Sequence, residues 1–287
     1  MFPVFLKSKL TQLLVIIYLG LVAWWVEINA HHLTTSKQNM YFGFTYALVA
    51  LLGGLNGLRV SRGWGGFKSV LGRGLSFFSL GLLCLGIGQL IFSYYNIVAQ
   101  VEIPFPSAAD YFYFSIIILY ILGSVTLFQS SGSRYSLGTI KGRIVAFIIP
   151  ALALAASWVL LLKNLQLDFS SLHNGLVTFL SYSSPLGGAI YISIAILTFQ
   201  LSYRTLGGVL RKRILFLVAA LILEYSAEYL FAYRAAKGVY FNGDVDDLIF
   251  ATSVVAMCLA LNAFALQKKQ TQDSTADKVA PALEVRG

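Results

Sequence analysis

The sequence predicts an all-α, polytopic membrane protein: eight transmembrane helices in two parallel four-helix repeats, with both termini cytoplasmic. Three observations predict it. Eight apolar stretches divide the chain, Lys and Arg collect in alternate loops between them, and the second half echoes the first at a spacing of 139 residues. At 57% hydrophobic and 11% charged, the chain lies well outside the soluble averages of about 45–50% apolar and about 25% charged.

The stretches run from Thr11 to Ile28, Met40 to Leu58, Leu75 to Tyr95, Tyr111 to Phe128, Ile144 to Leu162, Leu176 to Leu201, Ile214 to Tyr233 and Leu248 to Leu266. Each is close to the roughly 20 residues that a helix needs to cross the hydrocarbon core. Away from water every backbone group must be bonded within its own segment, and without period-2 alternation a transmembrane barrel is rejected.

The first stretch follows a basic leader (Lys7, Lys9) and could be read as a signal peptide ending at Ile28-Asn29-Ala30. Its length and its Trp24, Trp25 and Glu27 argue for a retained helix. In the second, Gly53 and Gly57 share a four-residue spacing that permits close helix approach. Cys84 and Cys258, in the third and eighth, read as small buried apolar residues, not as a disulfide pair. Ser107 with Asp110 forms a capping-box pattern at the start of the fourth, and Asp244 with Asp247 can cap the eighth. Trp158, well inside the fifth, is expected to pack in the bundle. Trp24, Trp25, Tyr41, Tyr94, Tyr95, Tyr111 and Tyr240 are placed as interface anchors. After the eighth stretch, residues 267–287 read as a disordered cytoplasmic tail.

Lys and Arg fix the orientation. The N-terminus (Lys7, Lys9), second loop (Arg59, Arg62, Lys68, Arg73), fourth loop (Arg134, Lys141, Arg143), sixth loop (Arg204, Arg211, Lys212, Arg213) and tail (Lys268, Lys269, Lys278, Arg286) hold seventeen of the 21 basic residues. The other loops hold only Lys37, Lys163, Arg234 and Lys237. Short loops rich in Lys and Arg stay cytoplasmic, which places both termini there. The net charge of +9 is therefore topological, spread over five short segments, and does not mark a nucleic-acid surface.

The internal echo aligns Arg73 with Lys212, Phe77 with Phe216, Gln89 with Glu228, Phe92 with Phe231 and Tyr94 with Tyr233; after a two-residue gap, Ser107 to Asp110 falls on Asp244 to Asp247. It divides the chain into a first repeat (1–138), a second repeat (139–266) and the tail. Four helices per half give the copies the same orientation, related by an axis along the membrane normal.

Glu224 is the leading candidate for function. It lies midway along the seventh stretch, where a charge costs at least about 2.5–3.5 kcal/mol on insertion scales, and Glu228 lies one turn further along the same face. With no Lys or Arg in the apolar interior, Glu224 is expected to be protonated or hydrogen bonded, with Ser181, Tyr182, Ser183 and Ser184 as partners. Gln89 is the repeat counterpart of Glu228. Candidate ligand-binding residues are thus Glu224, Glu228, Gln89, Ser184 and Tyr182, and a hydrogen-bonded acid that helps the halves pack is the structural alternative. His31, His32 and His173, with Glu27, Glu102, Asp110 and Asp168, share the outer side, but no pair has a metal-site spacing. No retinal-type lysine, phosphate loop, nucleophile elbow or zincin motif is present. We therefore assign no catalytic residue, cofactor or metal from the sequence and expect no enzymatic activity.

Gly88-Gln-Leu-Ile-Phe-Ser-Tyr-Tyr95, then Pro104-Phe-Pro-Ser-Ala-Ala-Asp110-Tyr-Phe-Tyr113, and Gly243-Asp244-Val-Asp-Asp247 in the second half, together resemble the N-terminal multi-helix membrane sensory module of bacterial diguanylate cyclases and sensor histidine kinases. The resemblance implies a bacterial plasma-membrane module that senses a signal, here expected without its output domain. Its partners would be the lipid bilayer and a signalling protein in the membrane or cytoplasm, with no nucleic acid. Two other readings stand beside it: a small-solute or proton-coupled transporter using Glu224 and Glu228, and a membrane metal-dependent hydrolase.

The orientation is testable in a variant with Cys84 and Cys258 replaced. Single cysteines at Ile103 or Asn242 are expected to react with an impermeant maleimide added from outside, and those at Gly66 or Gly208 only after permeabilisation. The reverse pattern inverts the topology.

Overall fold

The computed structural model describes residues 8–31, 36–101, 103–131, 138–164, 175–202 and 208–284. Among them it contains eight long helices and no strand: α1 (Lys9–Ala30), α2 (Lys37–Gly63), α3 (Val70–Tyr94), α4 (Ala108–Ser130), α5 (Ile140–Asn164), α6 (Gly175–Ser202), α7 (Gly208–Ala236) and α8 (Val245–Glu284). A short 3-10 turn, Gly66–Lys68, joins α2 to α3, and a π turn, Tyr95–Ala99, extends α3. Seven of these helices contain a segment long and apolar enough to cross a membrane; in α6 the apolar segment, Leu186–Gln200, is shorter.

The helices exceed their apolar stretches at one or both ends because capping groups and polar residues carry the ladder past the hydrophobic part. Ser69 accepts from the Gly72 amide at the start of α3 (2.9 Å). At α4, Ser107 accepts from the Ala109 amide while Asp110 accepts from the Ser107 amide, closing a capping box. The backbone of α8 stays helical to Glu284, where the sequence suggests a tail without regular structure. The Gln, Lys and Ala that follow the apolar part are good helix formers and extend a helix that is already nucleated.

Six helices close a ring. Going round it, α2 packs on α3, α3 on α4, α4 on α6, α6 on α7, α7 on α8, and α8 returns to α2. Outside the ring, α1 lies on α8 and α5 lies on α6 and the edge of α7. Both outer helices present apolar side chains outward, among them Leu13, Ile16, Ile144, Phe147 and Leu152. Trp158 belongs to this outward set, at 53% exposed. The bundle packing expected for it does not occur, because α5 touches the ring along one stripe and Trp158 projects from the other.

Small residues set the spacing in the ring. A Cβ on Gly53 would fall 2.0 Å from Cys258 Sγ, and one on Gly57 would fall 2.2 Å from Ser79 Oγ, so α2 approaches α8 and α3 through these two positions. Cys258 and Cys84 are free thiols. At one end Trp64 donates to the Phe264 carbonyl (3.1 Å), and Arg213 is buried with its Nε donating to the Ala263 carbonyl (2.7 Å). The sequence places Arg213 in a loop. It is instead inside α7, because that helix begins at Gly208 and turns this side chain onto α8.

Gly53→Val is expected to cost about 1–3 kcal/mol by overpacking the α2–α8 contact. Gly20→Val, on the open face of α1 with nothing within 4 Å of the added carbon, should stay within about 0.5 kcal/mol of the parent. Unfolding of the purified protein in detergent, compared for the two variants, reads the difference.

Candidate functional site

At the end of the ring that carries Asp110 and Asp247 the helices part around a cavity of about 430 Å³. All six ring helices contribute to its wall. Its rim includes the exposed Phe105 and Ala235, and its deeper wall includes the buried Tyr46, Leu85 and Glu224.

Asp247 organises the rim. It stands in the first turn of α8 with three donors converging on its carboxylate: the Gly243 amide on Oδ2 (2.6 Å), the Tyr240 hydroxyl on Oδ2 (3.3 Å) and the Tyr46 hydroxyl on Oδ1 (3.2 Å). Gly243 makes this turn at φ 82°, a left-handed conformation that a side chain would strain. Burial, with the Asp247 carboxylate beside it, pushes the Tyr240 phenol well above its ordinary range. Tyr240 is thus a hydrogen-bond donor at the cavity and not the interface anchor suggested by its place near a span end.

Asp244 is buried under α1 and paired with Arg234. Its Oδ1 accepts from the Val245 amide (2.7 Å), and the carbonyls of Asp244 and Gly243 take Trp25 Nε1 (3.1 Å) and Asn29 Nδ2 (3.2 Å). Asp246, fully buried, lies 3.5 Å from Arg234 Nε. Arg234 therefore pins the end of α7 to the start of α8 with two carboxylates. This pairing explains a basic side chain at an end where few occur.

Of the residues singled out from the sequence, Glu224, Glu228, Gln89, Asp110 and Asp247 all line the cavity. Glu224 is 3% exposed, and its Oε2 accepts from the Ser253 hydroxyl of α8. That partner replaces the serine cluster expected from α6. Ser183 lines the cavity but donates to the Leu180 carbonyl (2.9 Å), and Tyr182 is not part of the wall, because each residue along a helix turns about 100° from the last. The side chains of Ser181 and Ser184 lie outside those the structure describes. Gln89 Oε1 accepts from Tyr113 (2.9 Å), and a Cβ on Gly188 would meet Glu228 Oε2 at 3.4 Å, so α6 comes close to α7 at this acid. Ser107 is buried in its cap and stands behind the wall. His32, Glu102, Asp168 and His173 lie outside the described residues, His31 and Glu27 are exposed, and among the described residues no three His, Cys, Asp or Glu side chains come together as metal ligands.

Sequence reasoning missed Tyr46, Ser253 and the role of Tyr240. Tyr46 and Ser253 are polar groups within apolar spans, and such groups, when buried, are hydrogen bonded; that was the available signal. Compared with family models, curated proteins and solved structures, the chain matches none.

Asp247→Ala removes the acceptor of three donors at once and is expected to cost about 2–4 kcal/mol, since each buried donor left unpaired costs about 1–3 kcal/mol less what water recovers. Tyr46→Phe removes one donor from an acceptor that keeps two others and should cost only about 0.5–1.5 kcal/mol. Chemical denaturation of both variants in the same detergent checks the order.

Proposed function

We propose that this chain is an integral membrane ligand-binding module of the sensory type, without catalytic output of its own. The single observation that carries the reading is the cavity, which draws its wall from every helix of the ring and ends at a buried carboxyl group. A ligand there touches all six helices together, which is what a receptor needs if occupancy is to change the bundle's arrangement.

On this reading α6 crosses the membrane with the other seven, giving eight spans; its 28-residue length supports that count, although its apolar segment Leu186–Gln200 is shorter than those of the others. The partition of Lys and Arg puts Gly66 to Lys68, Arg213 and both termini in or beside the cytoplasm, so the cavity faces out of a bacterial cell. A two-fold repeat is supported by the packing order. Exchanging α2, α3 and α4 for α6, α7 and α8 maps the ring of contacts onto itself. It is supported also by the wall, where Gln89 and Glu228, Phe92 and Phe231, Asp110 and Asp247, and Tyr113 and Phe250 enter as repeat-related pairs. The cytoplasmic partner would be a signalling protein reached through the inner loops and the end of α8.

Proton-coupled transport is the second reading, favoured by Glu224 and Glu228 lying one turn apart on one cavity wall. Access separates the two. A cysteine placed at Ala232, on the wall, is expected to react with a small impermeant thiosulfonate from the outer side only in right-side-out vesicles. Reaction of similar rate in inverted vesicles would reveal alternating access, and with it a transporter.

A further inference from the structure

Resting on the ligand-binding reading, we propose that the cavity takes an organic cation, a protonated amine carried on an apolar body, with Glu224 as its counter-charge. Four carboxyl groups stand on the wall, and among the described lining residues there is no Lys, Arg or His to balance them. Arg234, at the end of α7, is already engaged by Asp244 and Asp246. A ligand carboxylate or phosphate would therefore meet only like charge, whereas an ammonium supplies the missing sign.

The four acids are not equivalent, and Glu228 is already engaged with its own surroundings. Asp110 is held by the Ser107 amide and hydroxyl, and Asp247 has three donors on its two oxygens. Glu224 is different: 3% exposed, it receives Ser253 on Oε2, while its Oε1 accepts from no described residue. An acceptor left open to a cavity, on a side chain otherwise shut off from solvent, calls for a donor from whatever enters. An N–H of an ammonium is such a donor and brings the compensating charge with it.

The rest of the wall suits the remainder of such a molecule. Phe92, Phe105, Phe114, Phe231 and Phe250 surround the space, and ring faces attract a cation while ring bodies shed water onto an apolar partner. The volume of about 430 Å³ falls within the range of about 300–1,000 Å³ that holds one small organic molecule. A bare metal ion is a poor occupant, as among the described residues no three ligating side chains converge.

The test uses the full chain in nanodiscs of neutral lipid, titrated calorimetrically with phenylbutylamine, phenylbutanol and phenylbutyrate, which present one apolar body with a positive, neutral or negative head. The amine is expected to bind at least about tenfold tighter than the alcohol, and the acid more weakly than either. In Glu224→Gln the amine should fall to within about twofold of the alcohol, with the variant's thermal unfolding midpoint in the same nanodiscs matching the native chain's as proof that the bundle is intact. Amine and alcohol binding equally to the native chain, as a carboxyl already neutralised by a proton would give, overturns the cation assignment but leaves the binding cavity standing. A native preference that persists in Glu224→Gln also overturns it. If none of the three binds, both the cation and the binding module fall.

Discussion

The carboxylate of Asp247 holds the cavity end of this molecule together. One side chain caps the turn that starts α8, through the Gly243 amide, and ties α2 and the preceding loop to it through Tyr46 and Tyr240. A buried carboxylate is tolerated only where donors converge on it. Here the requirement is met by three donors from two parts of the chain, α2 and the loop before α8, so the acid's own needs define where those parts meet. The rim of the cavity follows from that meeting point.

Beneath the rim the ring is set by contact distance. Gly53, Gly57 and Gly188 bring α2 and α6 close to their neighbours, and where backbones approach this closely dispersion and packing can hold helices together in a solvent as apolar as the helices themselves. Gly53 and Gly57 set close approaches away from the cavity and Gly188 sets one beside Glu228 on its wall, while larger side chains, Phe92, Phe231 and Phe250 among them, line the open space. Outside the ring, α1 and α5 add apolar surface to the periphery. Among the described residues, neither contributes to the cavity wall.

Two kinds of polar group occur within the apolar spans, and they behave differently. Ser79, Ser193 and Ser226 return a hydrogen bond to their own helix at the carbonyl four residues back, which satisfies them locally and asks nothing of the fold. Glu224, Gln89 and Tyr46 reach other helices. Only this second kind constrains which helices are neighbours; these three line the cavity, while Tyr18 with Thr252, Ser61 with Ser76 and Thr11 with Asn262 tie helices together away from it.

The sequence by itself determined the helices, their number and rough bounds, the cap at Ser107 and Asp110, and the presence of Glu224, Glu228, Gln89 and Asp247 as polar groups in or beside apolar spans. Each of these depends on local composition or on short spacing, because a span is a run of apolar residues, a cap is a pattern four residues long, and an acid in such a run is conspicuous wherever its partner lies. The tertiary structure decided the partners. Ser253 was not legible as the donor to Glu224, nor Tyr46 and Tyr240 as donors to Asp247, and Arg213 and Trp158 changed sides once α7 and α5 were in place. Uniformly apolar helices carry little amphipathic signal to say which face turns inward. The choice of neighbours was therefore left to close approaches and to a few long-range hydrogen bonds, both of which exist only after the helices have met.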